Sequence, residues 1–417
     1  MIAQGKATLE CTQPLLTHDS GLELNRNIEH LRAFAILMVL CLHFTWLHTA
    51  LPEILWGAWS GVDLFFAISG FVIAASLSRS LAPSSASDSF LQKLSLNQTA
   101  IGSFFVRRFF RIYPPLLATL ALAALLTAIL AVTRWKSLSV EIVAALSMTY
   151  NYVIYRGGPF LMDPLWSLAV EMQFYVLLPF FLLAFSTNGQ RLAAAIVVFL
   201  VIGAIVRPAH IWALTAISDD DWLGVRFSTH CRLDTLAAGV CVFALSRNRK
   251  LMQWLHDLSP LTIRVLAFFC LTILLLVPSA TPVEFSHDEG LSLLALAAAG
   301  MVLLAVGGKV TLVPPSPVSS LLRYVGERSF SLYLVHRLSA AAFGAVFPDV
   351  VSHAYMMDGT GAKFRLVQGI GVTALTLIFA ELMYRFVERP SIDAGRRYGN
   401  RGNSDEDSNR IRTAAAA

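Results

Sequence analysis

The chain has 417 residues, of which 56% are apolar and only 14% charged. Soluble domains carry about 25% charged residues, so a soluble globule, a disordered chain, a coiled coil and a nucleic-acid-binding domain are excluded. A polytopic membrane protein remains, with a net charge of +5 whose placement along the chain matters more than its sum. The five cysteines (Cys11, Cys41, Cys231, Cys241, Cys270) are scattered. Their spacing matches neither a zinc site nor a disulfide framework, and no metal is expected from it.

Residues 1–25 read as a polar cytoplasmic segment holding Asp19 and Glu23, without the apolar run of a cleavable signal. Ten apolar runs follow, at 33–50, 61–79, 113–133, 166–186, 192–207, 233–246, 261–278, 290–307, 324–347 and 366–388. Each suits a transmembrane helix crossing a bilayer core of about 30 Å. The run 140–155 is ambiguous, because it holds Glu141 and Asn151. If it does not cross, Lys93, Arg107, Arg108, Arg111, Arg191, the run 247–250 and the basic tail all fall on the inner side. The fold class predicted is therefore all-α and polytopic, with about ten transmembrane helices and both termini cytoplasmic. Residues 134–165 then form an excursion on the outer side. Residues 80–103 read as a Ser-rich inner loop, 314–317 as a stiff turn and 391–417 as a disordered cytoplasmic tail. The membrane domain is 26–390.

Polar groups inside such spans are costly and therefore informative. Arg32 and His43 lie eleven residues apart in the first span, about 16 Å of helical rise and close to three full turns. They share one face. His43 reads either as a proton acceptor for a hydroxyl or as a histidine bonded to a neighbouring helix. Asp63 opens the second span, where it could orient a histidine or cap the helix. Arg107, Arg108 and Arg111 precede the third span, with Pro114 and Pro115 at its entry. They either anchor the inner surface or hold phosphates. Glu171 lies too deep in the fourth span to be a solvated charge. Arg232 and Asp234 at the mouth of the sixth point different ways and call for separate partners, as structural ion pairs or as part of a site. In the ninth, His336 and Tyr333 lie on one face.

Seven blocks carry a resemblance: NIEHLRAFAILMVLCLH, GVDLFFAISGF, RRFFRIYP, PLWSLAVEMQFY, RLDTLAAG, GERSFSLYLVH and FVERP. In this order they resemble integral-membrane acyltransferase family 3, which includes bacterial O-acetyltransferases of surface glycans. The resemblance spans roughly 26–390. It implies transfer of an acyl group, usually acetyl from acetyl-CoA, to a carbohydrate hydroxyl in a bacterial inner membrane, with no bound cofactor. It makes His43 the essential histidine and Arg32 its motif partner, gives Arg107, Arg108 and Arg111 the CoA phosphates, and Glu171 the acidic position. Asp63, Arg232, Asp234, Tyr333 and His336 are then acceptor-site or supporting residues. The pattern departs at Glu29–His30, where Asp–Gly is common, and at Met172, where a second acidic residue is common. Larger members add a soluble esterase-like domain that this sequence does not show, so a single acceptor-facing site is expected to suffice. A proton-coupled transporter is the alternative that buried Glu, His and Arg leave open.

Overall fold

The computed structural model describes residues 18–44, 53–83, 88–154, 160–215, 222–280, 289–308, 311–354 and 361–399. Every regular element among them is helical, as lipid demands: a helix satisfies its own backbone polar groups without water. The helices that matter here are α1 (His18–His43), α2 (Gly61–Ser80), α3 (Gln98–Leu130), α4 (Trp135–Leu146), α5 (Leu165–Ala184) and α6 (Asn188–Val201). They are followed by α7 (Arg207–Thr215), α8 (Thr229–Leu245), α9 (Arg249–Asp257), α10 (Pro260–Ala280), α11 (Glu289–Gly307) and α12 (Pro317–Glu327). Last come α13 (Ser329–Val346), α14 (Pro348–Ala354) and α15 (Gly361–Met383). α6 and α7 join through a π-helical turn at Ile202–Val206, and together they count as one span.

Seven helices among the described residues are long and apolar enough to cross a bilayer, and an eighth if α13 and α14, bent by 103°, count as one. The chain is a multi-pass membrane protein. Two helices expected to span fall short of that standard. α8 has only 17 residues and contains Arg232 and Asp234, while α1 carries Arg26, Glu29 and Arg32.

Three boundaries differ from expectation. α3 begins at Gln98 and runs straight through Pro114 and Pro115, so the arginine block lies inside a helix instead of before one. The prolines remove two backbone donors. Buried Phe104, Ile112, Leu116, Leu120 and Ala123 nevertheless keep one face against the core on both sides of them, and packing of this kind lets membrane helices absorb proline. Second, α4 has 12 residues, about 18 Å of rise. It starts before the expected run, is too short to cross as the ten-span reading requires, and ends where Met148 takes a left-handed φ of 54°. Third, the last helix continues past a π-helical turn at Tyr384–Glu388 to Gly399, covering the first residues of the expected tail. Residues 1–17, the loop 281–288 and the tail from 400 lie outside the described residues.

The centre is built on one close crossing. A Cβ on Gly70 would stand 2.2 Å from the Leu236 carbonyl oxygen, and one on Gly239 2.3 Å from that of Ala67. Only glycine lets α2 and α8 touch backbone to backbone. One buried ion pair fixes the register of this crossing, and a second ties α8 to α7. Arg232 Nη2 donates to Asp63 Oδ1 at 2.6 Å, and Arg207 donates to Asp234.

Candidate active site

His43 ends α1. Its Nδ1 lies 2.9 Å from the Val39 carbonyl oxygen one turn back. A carbonyl only accepts, so Nδ1 carries the hydrogen and Nε2 of the neutral ring keeps its lone pair. That nitrogen faces Asp163, with Oδ2 at 3.9 Å. Asp163 is held from its other oxygen by Arg337 Nε at 2.6 Å. The His43 side chain is 19% exposed and Asp163 30%, so the pair lines an accessible edge of the protein.

His336, fully buried on α13, places its ring centroid 4.9 Å from that of His43. Its Nδ1 donates to the Tyr333 carbonyl at 2.8 Å, and its Nε2 has no hydrogen-bond partner among the described residues. The two imidazoles thus repeat one device: each commits Nδ1 to its own helix and leaves Nε2 as an acceptor. The Tyr333 hydroxyl donates to the Pro164 carbonyl at 2.5 Å and lies 2.6 Å from Ser167 Oγ, which ties α13 to the start of α5.

Asp163 owes its place to α4. Glu141, fully buried, accepts from the Leu161 and Met162 amides at 3.0 and 2.8 Å and from the Tyr150 hydroxyl at 2.6 Å. Burial, reinforced by the adjacent Glu141 carboxylate, pushes the Tyr150 phenol above its ordinary range, so it stays a donor. The residues just before Asp163 are therefore pinned from behind.

A second cluster lies toward the other end of α1. Arg32 Nη1 holds Glu29 at 3.2 Å, and it belongs to the electrostatic surroundings of Arg111 together with Glu388, Tyr175 and Glu171. The Arg108 guanidinium sits 5.6 Å from the ring centres of both Phe104 and Tyr175. Glu171 accepts from Ser69 Oγ at 2.5 Å and from the Tyr175 hydroxyl. Ser331 donates to the buried Glu388 at 2.5 Å. Arg107 turns elsewhere and packs on the C-terminal stretch, where a Cβ at Gly399 would meet its Cγ at 3.1 Å. Beside that stretch lies a cavity of about 580 Å³ lined by Arg389, Arg397 and Tyr398, and Tyr398 stacks on Phe110.

The two ends of α1 thus face different chemistry: an imidazole beside a carboxylate at His43, and arginines among the carboxylates of Glu29, Glu171 and Glu388 about 16 Å away. A family model described as an acyltransferase domain matches residues 25–385. The chain belongs to this acyltransferase family. It is 26% identical over 395 residues to the peptidoglycan O-acetyltransferase OatA of Listeria monocytogenes, covering 87% of this chain and 55% of that protein. A Staphylococcus aureus protein carrying the name "Putative O-acetyltransferase" is 27% identical over 378 residues, covering 87% of this chain and 56% of its own length. The chain therefore spans a little over half the length of these relatives. No solved structure matches it.

Within the acyltransferase domain, the structure brings His43, His336 and Tyr333 together at one end, and Arg32, Arg108, Arg111 and Glu171 at the other. Asp63, Arg232 and Asp234 form ion pairs between helices, and Asp63 contacts no histidine. Glu171 stays with the arginines and does not orient an imidazole. Sequence reading missed Asp163 and Arg337. It also missed Arg226, whose guanidinium lies 4.5 Å over the Trp59 ring with Asp63 and Asp163 in its electrostatic surroundings. Depth inside an apolar run is the signal that marks Glu171 and the histidines; Asp163 and Arg337 lie at a loop and a helix flank, where charge is ordinary.

Proposed function

We propose that this acyltransferase moves an acetyl group from cytosolic acetyl-CoA to a hydroxyl of an envelope glycan, peptidoglycan first among them, in the bacterial cytoplasmic membrane. The observation that carries the reading is the His43 tautomer. With Nδ1 given to Val39, Nε2 is the atom free to take a proton, and Asp163 stands ready to offset the charge that arrives. His43 Nε2 takes the acceptor hydroxyl's proton as the oxygen forms a bond to the thioester carbonyl carbon. The carbon–sulfur bond then breaks, and the CoA sulfur leaves with that proton. General-base help of this kind contributes about 10²–10⁴-fold.

Arg108 and Arg111 suit the donor's phosphates, since a guanidinium fork binds phosphate in two places. Arg389 and Arg397 line the 580 Å³ cavity together with Asp393 and leave it net positive, and Arg107 packs near Gly399 on the same stretch. The roughly 16 Å from Arg32 to His43 is close to the reach of a pantetheine arm. Glycan as acceptor rests on the name of the Listeria relative. The transporter alternative gains nothing from relatives named as O-acetyltransferases.

The test uses purified full-length protein in proteoliposomes, radiolabelled acetyl-CoA and soluble peptidoglycan strands, following CoA release and label transfer. His43→Ala should cut transfer at least a hundredfold while leaving the protein folded and inserted. A variant within tenfold of wild type removes the base assignment. Wild-type protein that consumes no acetyl-CoA removes the donor.

A further inference from the structure

A cluster apart from this chemistry lies where α7 meets α8. His210 Nδ1 and His230 Nε2 are 3.0 Å apart, with ring centroids 4.7 Å apart and the rings edge to face. The next residue, Cys231, is buried, and its sulfur and one nitrogen from each ring all lie within 4.8 Å of one another. His210 is half-buried and His230 exposed. We propose that His210, His230 and Cys231 form a binding site for a divalent transition-metal cation of the zinc class.

The donor set selects the metal. Two imidazoles and a thiolate suit zinc, cobalt, nickel or copper, whereas magnesium and calcium prefer oxygen. Zinc takes nitrogen at about 2.0–2.1 Å and sulfur at about 2.3 Å, which places tetrahedral donors about 3.3–3.8 Å apart. The two nitrogens 3.0 Å apart are a little closer than that and all three donors fall within 4.8 Å, and His230, being exposed, can swing to adjust the spacing. On binding, the Cys231 thiol gives its proton to solvent as the sulfur–metal bond forms. The thiolate and the two imidazole lone pairs replace waters of the hydrated cation, its other waters leave to bulk solvent except one that keeps the fourth position, and nothing is oxidised or reduced.

The nearest cation does not forbid the site. Arg207 donates to the Cys231 carbonyl at 3.3 Å and is paired with Asp234, so its charge is already matched. Arg232, the residue after Cys231, is matched by Asp63. A bound metal would pin α7 to the first turn of α8, directly beside the ion pair that joins α8 to α2. The spacing of cysteines along the chain hides this arrangement, because two of its three donors are histidines and one of them comes from another helix.

The full chain in detergent, stripped of metal, is titrated with Co²⁺. One equivalent should bind and raise the intense near-ultraviolet absorption of a cobalt–thiolate bond, and Zn²⁺ should bleach it. His210→Ala and His230→Ala should each weaken binding at least tenfold, and Cys231→Ser should abolish the thiolate band. Zn²⁺ should raise the thermal midpoint of wild type but not of His230→Ala. His353→Ala, on exposed α14, should titrate like wild type. No saturable thiolate band in wild type, or identical titrations for wild type and His230→Ala, overturns the proposal. If Cys231→Ser fails to fold, the two histidine variants decide, since His230 is exposed and its loss leaves the core intact.

Discussion

Because Val39 commits Nδ1 of His43, Asp163 cannot serve as the residue that selects the tautomer. In the proposed mechanism its part is electrostatic: it lowers the energy of the imidazolium that forms there, and it is itself aimed by Arg337. Opposite unit charges about 4 Å apart near a protein surface attract by up to about 4 kcal/mol, less where both are partly exposed, so Asp163→Asn should lower kcat by roughly tenfold to a hundredfold. The KM for acetyl-CoA should hold, and steady-state kinetics at both substrates would reveal any other division. Arg108→Ala and Arg111→Ala should do the reverse, raising donor KM about tenfold or more with kcat little changed. If instead kcat falls and KM stands, those arginines serve the fold and not the donor. His43, His336, Tyr333 and Glu171 were legible because a polar residue within an apolar run has to be explained. Asp163 was not, because beside Pro164 it looks like any residue at a helix start, and only folding brings it to His43.

Among the elements, α4 and the α2–α8 crossing set the site's geometry. Glu141 has no contact with His43, yet it fixes the Leu161 and Met162 amides that precede Asp163. Glu141→Ala should therefore lower kcat without moving donor KM, and should loosen protection of the Leu161 and Met162 amides in hydrogen exchange. The Gly70–Gly239 contact leaves no room for a side chain. Gly239→Leu should abolish folded protein, read as loss of the monodisperse peak in detergent. Gly102→Ala, at a helical position with nothing within 4 Å, should be tolerated and slightly stabilising, by about 0.5–1 kcal/mol. The apolar runs announced most of these helices. They misplaced the start of α3, because tandem proline ordinarily marks a helix entry and here continued packing overrides it.

Across the whole molecule, the basic residues predict sidedness. With both termini cytoplasmic, Arg249 on α9 faces the cytosol and Ser139 on α4 faces outward. In a background without native cysteines, Ser139→Cys should react with an impermeant maleimide in intact cells, and Arg249→Cys only after permeabilisation; the opposite pattern inverts the topology. α1, which ends at His43, and α8, which bears Arg232 and Asp234, are the helices least suited to lipid. α1 carries five charged residues (Asp19, Glu23, Arg26, Glu29 and Arg32) and α8 is short, with Arg232 and Asp234 near its start, whereas α10 and α11 are apolar throughout most of their length. Biogenesis must then follow an order that the reading frame does not. Fused singly to a translocation reporter, α10 and α11 should insert by themselves. α1 and α8 should be retained at the membrane only when neighbouring helices are synthesised with them, so these two helices depend on partner helices for their final place in the bilayer.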